Sequence, residues 1–100
     1  MSKDEQAIEQ EIKDKGLTAK RITPEMLDAE IVNEQFHVFD GTCLTVCCLT
    51  LKNGFTVTGE SACASPENFD AEIGMKISKD NARDKIWPLL GFRLRDQLAA

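Results

Sequence analysis

No catalytic motif stands in this chain: it has no glycine-rich phosphate loop, no H-E-x-x-H and no G-x-S-x-G. Its single histidine, His37, has no second group at a defined spacing, which a general base or a metal ligand usually needs. It reads as a structural or exposed side chain. No apolar run approaches the ~18 residues of a membrane span. The stretch from Met1 to Asp14 is too charged for a signal peptide. A soluble, cytoplasmic protein is therefore expected. Repeats and low-complexity segments are absent. Paired C-x2-C knuckles are also missing, so Cys43, Cys47, Cys48 and Cys63 do not spell a zinc ribbon. Without a secretory signal they do not suggest a disulfide frame either. They read first as small hydrophobes in a core, with redox chemistry and a metal as lesser alternatives. Neither an enzyme nor a bound cofactor is expected.

What is present is one modest domain. One hundred residues with 42% hydrophobic content suffice for a single core and no more. The formal charge of −5 is uneven. Residues 1–73 carry six Lys/Arg against fourteen Asp/Glu, a balance of −8, and residues 74–100 carry six against three, a balance of +3. An acidic whole argues against duplex nucleic acid, where neutralised phosphates supply most of the affinity. The basic end could hold a small phosphorylated ligand, or form a solvated helix face with pairs such as Lys76–Asp80.

Local signals divide the chain into a charged segment, 1–20, and a single α+β domain, 21–100. Residues 3–15 have Ala7, Ile8 and Ile12 as their only apolar residues, a short helix with a thin stripe ended by Gly16. Thr23-Pro24-Glu25-Met26 is a helix start: a capping hydroxyl, a proline at the first helical position, an acid near the positive end of the dipole. Met26, Leu27 and Ile31 follow at helical spacing. From Glu34 to Asp40 the pattern alternates, Phe36 and Val38 against His37 and Phe39, and reads as a strand. Asp40-Gly41 then turns the chain into a second strand, Thr42 to Leu51.

Asn53-Gly54 between runs rich in Leu, Val, Phe and Thr marks the dominant hairpin. A two-residue loop would mix polar and apolar side chains on both faces. A three-residue loop, Lys52-Asn53-Gly54 with Gly54 left-handed, pairs Leu51 with Phe55, Leu49 with Val57, Cys47 with Gly59 and Cys43 with Cys63. Because a slip of one residue exchanges the faces, the second register is predicted, with Cys43 and Cys63 facing as thiols. Leu44, Val46 and Cys48 are apolar on the other face, which predicts a second cover and hence a homo-oligomer.

Ser65-Pro66-Glu67 repeats the cap-plus-proline signal and opens the last element. Ile73, Ile77, Ala82, Ile86, Leu89, Leu90 and Leu94 predict a long helix from about Asp70, bent at Trp87–Pro88, running to about Leu98. Gly74 permits close packing on the sheet. The predicted fold is therefore α+β: a small antiparallel sheet built on one dominant hairpin, packed against a long kinked C-terminal helix, with short N-terminal helices. Lys76, Lys79/Asp80 and Arg83 fall on one helical face. The candidate ligand-binding residues are Phe69, Lys76, Asp80, Asn81, Arg83, Arg93 and Arg95. Arginine forks suit phosphates, Asp and Asn suit ribose hydroxyls and base edges, and Phe69 can stack on a base. The competing reading is a solvated helix with Phe69 as the core anchor of its loop.

Three runs carry a resemblance: Leu49-Thr50-Leu51-Lys52-Asn53-Gly54-Phe55-Thr56-Val57-Thr58-Gly59-Glu60-Ser61-Ala62-Cys63; Ser65-Pro66-Glu67-Asn68-Phe69-Asp70-Ala71-Glu72-Ile73-Gly74; and Asn81-Ala82-Arg83-Asp84-Lys85-Ile86-Trp87-Pro88-Leu89-Leu90-Gly91-Phe92-Arg93-Leu94. Over roughly Arg21 to Leu98 the chain resembles a small phage and prophage protein family, typified by gene product 49 of a lytic enterobacterial phage and gene product 66 of a Shigella phage. A fainter resemblance, the hairpin followed by a long helix, is to phage anti-Thoeris proteins that sequester a cyclic ADP-ribose signal. It implies an oligomeric counter-defence protein of the bacterial host cytoplasm that holds an anionic nucleotide without turnover. The alternative is a phage accessory protein that binds and redirects a host protein. Residues 1–20 match neither pattern.

Overall fold

A computed structural model describes residues 2–17 and 19–100; Met1 and Thr18, both in the charged segment 1–20, lie outside the described residues. The elements run α1 (Ser2–Asp14), α2 (Pro24–Glu30), β1 (Ile31–Val38), β2 (Thr45–Leu51), β3 (Thr56–Ser61), a short 3₁₀ turn (Pro66–Asn68), α3 (Ala71–Asp84) and α4 (Ile86–Ala99). The strands form one antiparallel sheet in the order β1-β2-β3, with α2, α3 and α4 contributing to the core on one face. This is the expected α+β architecture.

The Thr23 hydroxyl caps α2 by accepting from the Met26 N–H at 3.2 Å. The chain then passes from Glu30 straight into β1, so Ile31 opens a strand and does not extend the helix. The β-branched pair Ile31-Val32 favours the pleated state. Val32 sits in a bulge between the Ile31↔Leu51 and Asn33↔Thr50 pairs. β2 begins at Thr45, three residues later than predicted. Thr42 instead closes the turn, donating to the Phe39 carbonyl at 2.8 Å and accepting from the Leu44 N–H at 3.1 Å.

The hairpin has the predicted register: Leu49↔Val57, Cys47↔Gly59 and Thr45↔Ser61. Gly54 adopts a φ of +90°, the left-handed bulge that this loop requires. The Leu51 N–H donates to the Phe55 carbonyl at 2.8 Å, and the Asn53 side chain accepts from the Phe55 N–H at 2.9 Å. Continued two residues beyond the last ladder pair, Thr45↔Ser61, the same register sets Cys43 opposite Cys63.

The core comprises Leu27, Cys47, Leu49, Leu51, Val57, Ala82, Ile86 and Leu90, with Ile22, Ile31, Phe36 and Trp87 packed on it. α3 lies close on the sheet. A Cβ on Gly59 would come within 2.2 Å of the Ala82 nitrogen and 2.3 Å of the Ser78 carbonyl oxygen. A Cβ on Gly74 would meet Thr45 Oγ1 at 2.8 Å. Only small side chains fit beneath such a crossing, so α3 buries Gly74, Ser78 and Ala82. This corrects the predicted apolar stripe: Ile73 is 54% exposed and Ile77 also faces out.

Ser65-Pro66 opens only the 3₁₀ turn; the Asp70 carboxylate caps α3, accepting from the Ile73 N–H at 3.0 Å. The break between α3 and α4 falls at Lys85, ahead of the predicted Trp87–Pro88. A proline ring clashes with the carbonyl four residues before it, here that of Asp84, so the helix breaks there and Pro88 sits in the first turn of α4.

Candidate binding site

Arg83 projects from α3 into a cleft of about 660 Å³ between α1, the start of α2 and α3. Its Nε donates to Asp28 Oδ1 at 2.7 Å and its Nη2 to Asp28 Oδ2 at 3.2 Å, a two-pronged pairing. Its Nη1 donates to Glu5 of α1. The Asp28 hydrogen bonds above all, with Glu5 adding to them against the cost of burial, hold the guanidinium charged well above the ordinary arginine range. Every prong of the predicted phosphate fork is thus engaged by a carboxylate.

Two of the other three cleft cations are also paired with acids. Lys79 pairs with Glu34 at 2.7 Å, and Lys76 pairs with Glu72 at 3.6 Å, not with Asp80. The lining includes Lys13, Lys76, Lys79 and Arg83 against Glu5, Glu9, Glu25, Asp28 and Asp80, four cations and five anions. This cleft carries no net attraction for an anion.

Of the predicted residues, Lys76, Asp80 and Arg83 therefore share one cleft. Asn81 points elsewhere: its Nδ2 donates to the Glu60 carbonyl at 2.9 Å and clips α3 to β3. Phe69 is half-buried after the 3₁₀ turn, its N–H bonded to the Pro66 carbonyl at 3.1 Å. Arg93 lies on α4 and donates to the buried Glu30 at 3.0 Å. Arg95 is exposed, and no acid pairs with it among the described residues.

Arg93 belongs to a second pocket, of about 300 Å³, between α4 and the hairpin tip. Buried Leu51 and Leu90 line it beside exposed Phe55, Leu89 and Phe92, with Asn53, Arg93 and Asp96 as its polar residues. Phe92 is 72% exposed. The register explains Phe55: it sits opposite Leu51 but at the tip of the hairpin, beyond the end of the core. α4 explains the rest. Ile86, Leu90 and half-buried Leu94 face inward at helical spacing, which turns Leu89 and Phe92 outward. Leu89 was predicted on the core stripe; two apolar faces on one helix are the signal that distinguishes it. The acids that occupy Arg83 and Arg93 had no such signal, since Asp28 lies 55 residues from its partner and Glu30 lies 63.

Among the described residues, no group of three or more His, Cys, Asp and Glu side chains could hold a metal ion. No helix among them is long and apolar enough to cross a membrane. Residues 22–98 match the phage protein (N4 Gp49/phage Sf6 gene 66) family. No curated protein and no solved structure matches the chain.

Proposed function

We propose that this chain, which belongs to the N4 Gp49/phage Sf6 gene 66 family of phage proteins, is a phage accessory protein that binds and redirects a host protein, in the host cytoplasm and without turnover. The α4–hairpin pocket supports this reading. Protein interfaces centre on aromatic and apolar anchors with a polar rim and an enrichment in arginine. Phe55, Leu89 and Phe92 around buried Leu51 and Leu90, rimmed by Arg93 and Asp96, are such a composition. The fitting partner presents an apolar side chain for the pocket, flanked by an acid toward Arg93 and a base toward Asp96. The test places a photo-crosslinking residue at Phe92 and, as a control, at Thr58 on the open sheet face, in cells of the phage host. The expected result is one defined host adduct from position 92, absent at 58 and lost with Leu89→Asp. Equal labelling at both positions overturns the reading, and an adduct of dimer mass assigns the face to a second copy of the chain.

Sequestration of an anionic nucleotide, implied by the fainter resemblance, has one feature in its favour. Exposed Phe92 has Arg95 one turn away and Arg93 beside it, a ring for stacking near cations for phosphate. Glu30 and Asp96 oppose it, leaving these four side chains with no net charge. Thermal unfolding with cyclic ADP-ribose isomers and cyclic di- and trinucleotides separates the two readings. A ligand at 100 times its Kd stabilises by about 2.7 kcal/mol, several degrees for a domain of this size. A shift lost in Arg95→Ala favours sequestration, and no shift with any compound removes it.

A further inference from the structure

Of the four thiols, two are brought together by the fold. Thr45↔Ser61 is the last ladder pair of β2 and β3, and extending the same register by two residues sets Cys43 opposite Cys63 on the same face. Cys63 is near enough to Cys43 to raise its thiol above the ordinary value, with burial adding to the effect. Cys63 Sγ also donates to the Ser65 carbonyl at 3.3 Å. Both residues are half-buried and so open to a small reagent, whereas Cys47 is fully buried. Cys48 faces the other side of the sheet, since successive residues of a strand alternate. The β2–β3 ladder ends two residues short of this pair, so closing the bridge breaks no ladder hydrogen bond between these strands.

We propose that Cys43 and Cys63 are a site of reversible oxidative modification, joined as an intramolecular disulfide by exchange with a glutathione-type disulfide. In the first step one thiolate attacks a sulfur of glutathione disulfide, forms a mixed disulfide and releases one glutathione thiolate, which takes up a proton. In the second step the neighbouring cysteine, having lost its proton to water, attacks the protein-side sulfur and expels the second glutathione. Two protein thiols are oxidised, and one glutathione disulfide is reduced to two glutathiones. The bridge ties the open end of the hairpin to the segment that carries the 3₁₀ turn and the Asp70 cap of α3.

The test uses the full chain, held folded with glutathione disulfide, then mapped by mass spectrometry with fragmentation. The expected product has lost two of its four thiols, is lighter by about 2 Da, and has Cys43 joined to Cys63. Its melting temperature is higher and returns to the starting value with dithiothreitol, because a cross-link restricts the unfolded chain. Cys43→Ser should retain a glutathione adduct on Cys63 and form no bridge, while Cys48→Ser should bridge as the wild type does. Persistent glutathione adducts on wild-type Cys43 or Cys63, or a bridge that uses Cys48, overturn the proposal. So does an oxidised protein that melts no higher than the reduced one.

Discussion

Cys47 has none of its surface exposed. Burial first, and the nearby charge of Glu34 second, push its thiol up to about 11 from an ordinary 9.0. In the unfolded chain the thiol ionises near its ordinary value, so between roughly 9 and 11 unfolding releases a proton that the folded state keeps. Stability must then fall as pH rises through that window, by about 2–3 kcal/mol, and below it the thiol contributes no pH dependence. Urea unfolding at about pH 8 and about pH 11 checks this. Cys47→Ala should be less stable than wild type at the lower pH, because of the space it leaves, yet lose less on going to the higher one. Equal losses in both proteins would place the alkaline sensitivity elsewhere.

The elements differ in how tightly they are fitted, and glycine exposes the difference. At Gly59 an added methyl would strike the α3 backbone at Ala82 and Ser78, where no flexible side-chain end can move aside. At Gly91, in the middle of α4, an added methyl meets nothing within 4 Å. Gly59→Ala should therefore cost at least the 1–3 kcal/mol or so of an overpacked core. Gly91→Ala should stabilise by about 0.5–1 kcal/mol through helix propensity. Denaturant midpoints of the two variants should move in opposite directions from wild type, and a tolerated Gly59→Ala would mean that α3 is free to lift from the sheet. The same contrast shows what could be read from the sequence. The hairpin register was legible because Asn53-Gly54 and the two-residue period fix it locally. So was the close approach of α3, through Gly74. The outward turn of Ile73 and Ile77 was not, because helical spacing identifies an apolar face and cannot say that two glycines bring the helix too near the sheet for isoleucine to fit beneath it. Proline fared similarly: Pro88 announced a break, but the break belongs to the carbonyl it displaces, one turn earlier.

Across the whole molecule, the first helix is joined to the rest chiefly by charge. Glu5 of α1 meets Arg83, and Glu9 meets Arg21 at 2.7 Å. Its apolar stripe is poorly seated: Ile8 is mostly exposed, and a pocket of about 260 Å³ opens between Ile8, Ile12, Ile22, Pro24 and Trp87. α1 also lies outside the residues that match the family. No periodicity could have revealed this attachment, since it depends on a carboxylate 78 residues from its guanidinium. Two ion pairs over a loose apolar contact should open at lower cost than the sheet and α3, whose hydrogen bonds cover the core. Salt should widen that gap. At about 1 M the screening length shrinks to about 3 Å, weakening the half-exposed Arg21–Glu9 pair while leaving apolar burial intact. Glu5→Gln should act in the same direction without salt, removing one charge from the strap while Asp28 still holds Arg83. Amide hydrogen exchange followed along the chain reads both. Protection across α1 should fall by several-fold in high salt and in Glu5→Gln, with β2 and α3 unchanged. If α1 instead exchanges in step with the sheet under every condition, the helix is part of the same cooperative unit, and its few apolar contacts are worth more than their exposure suggests.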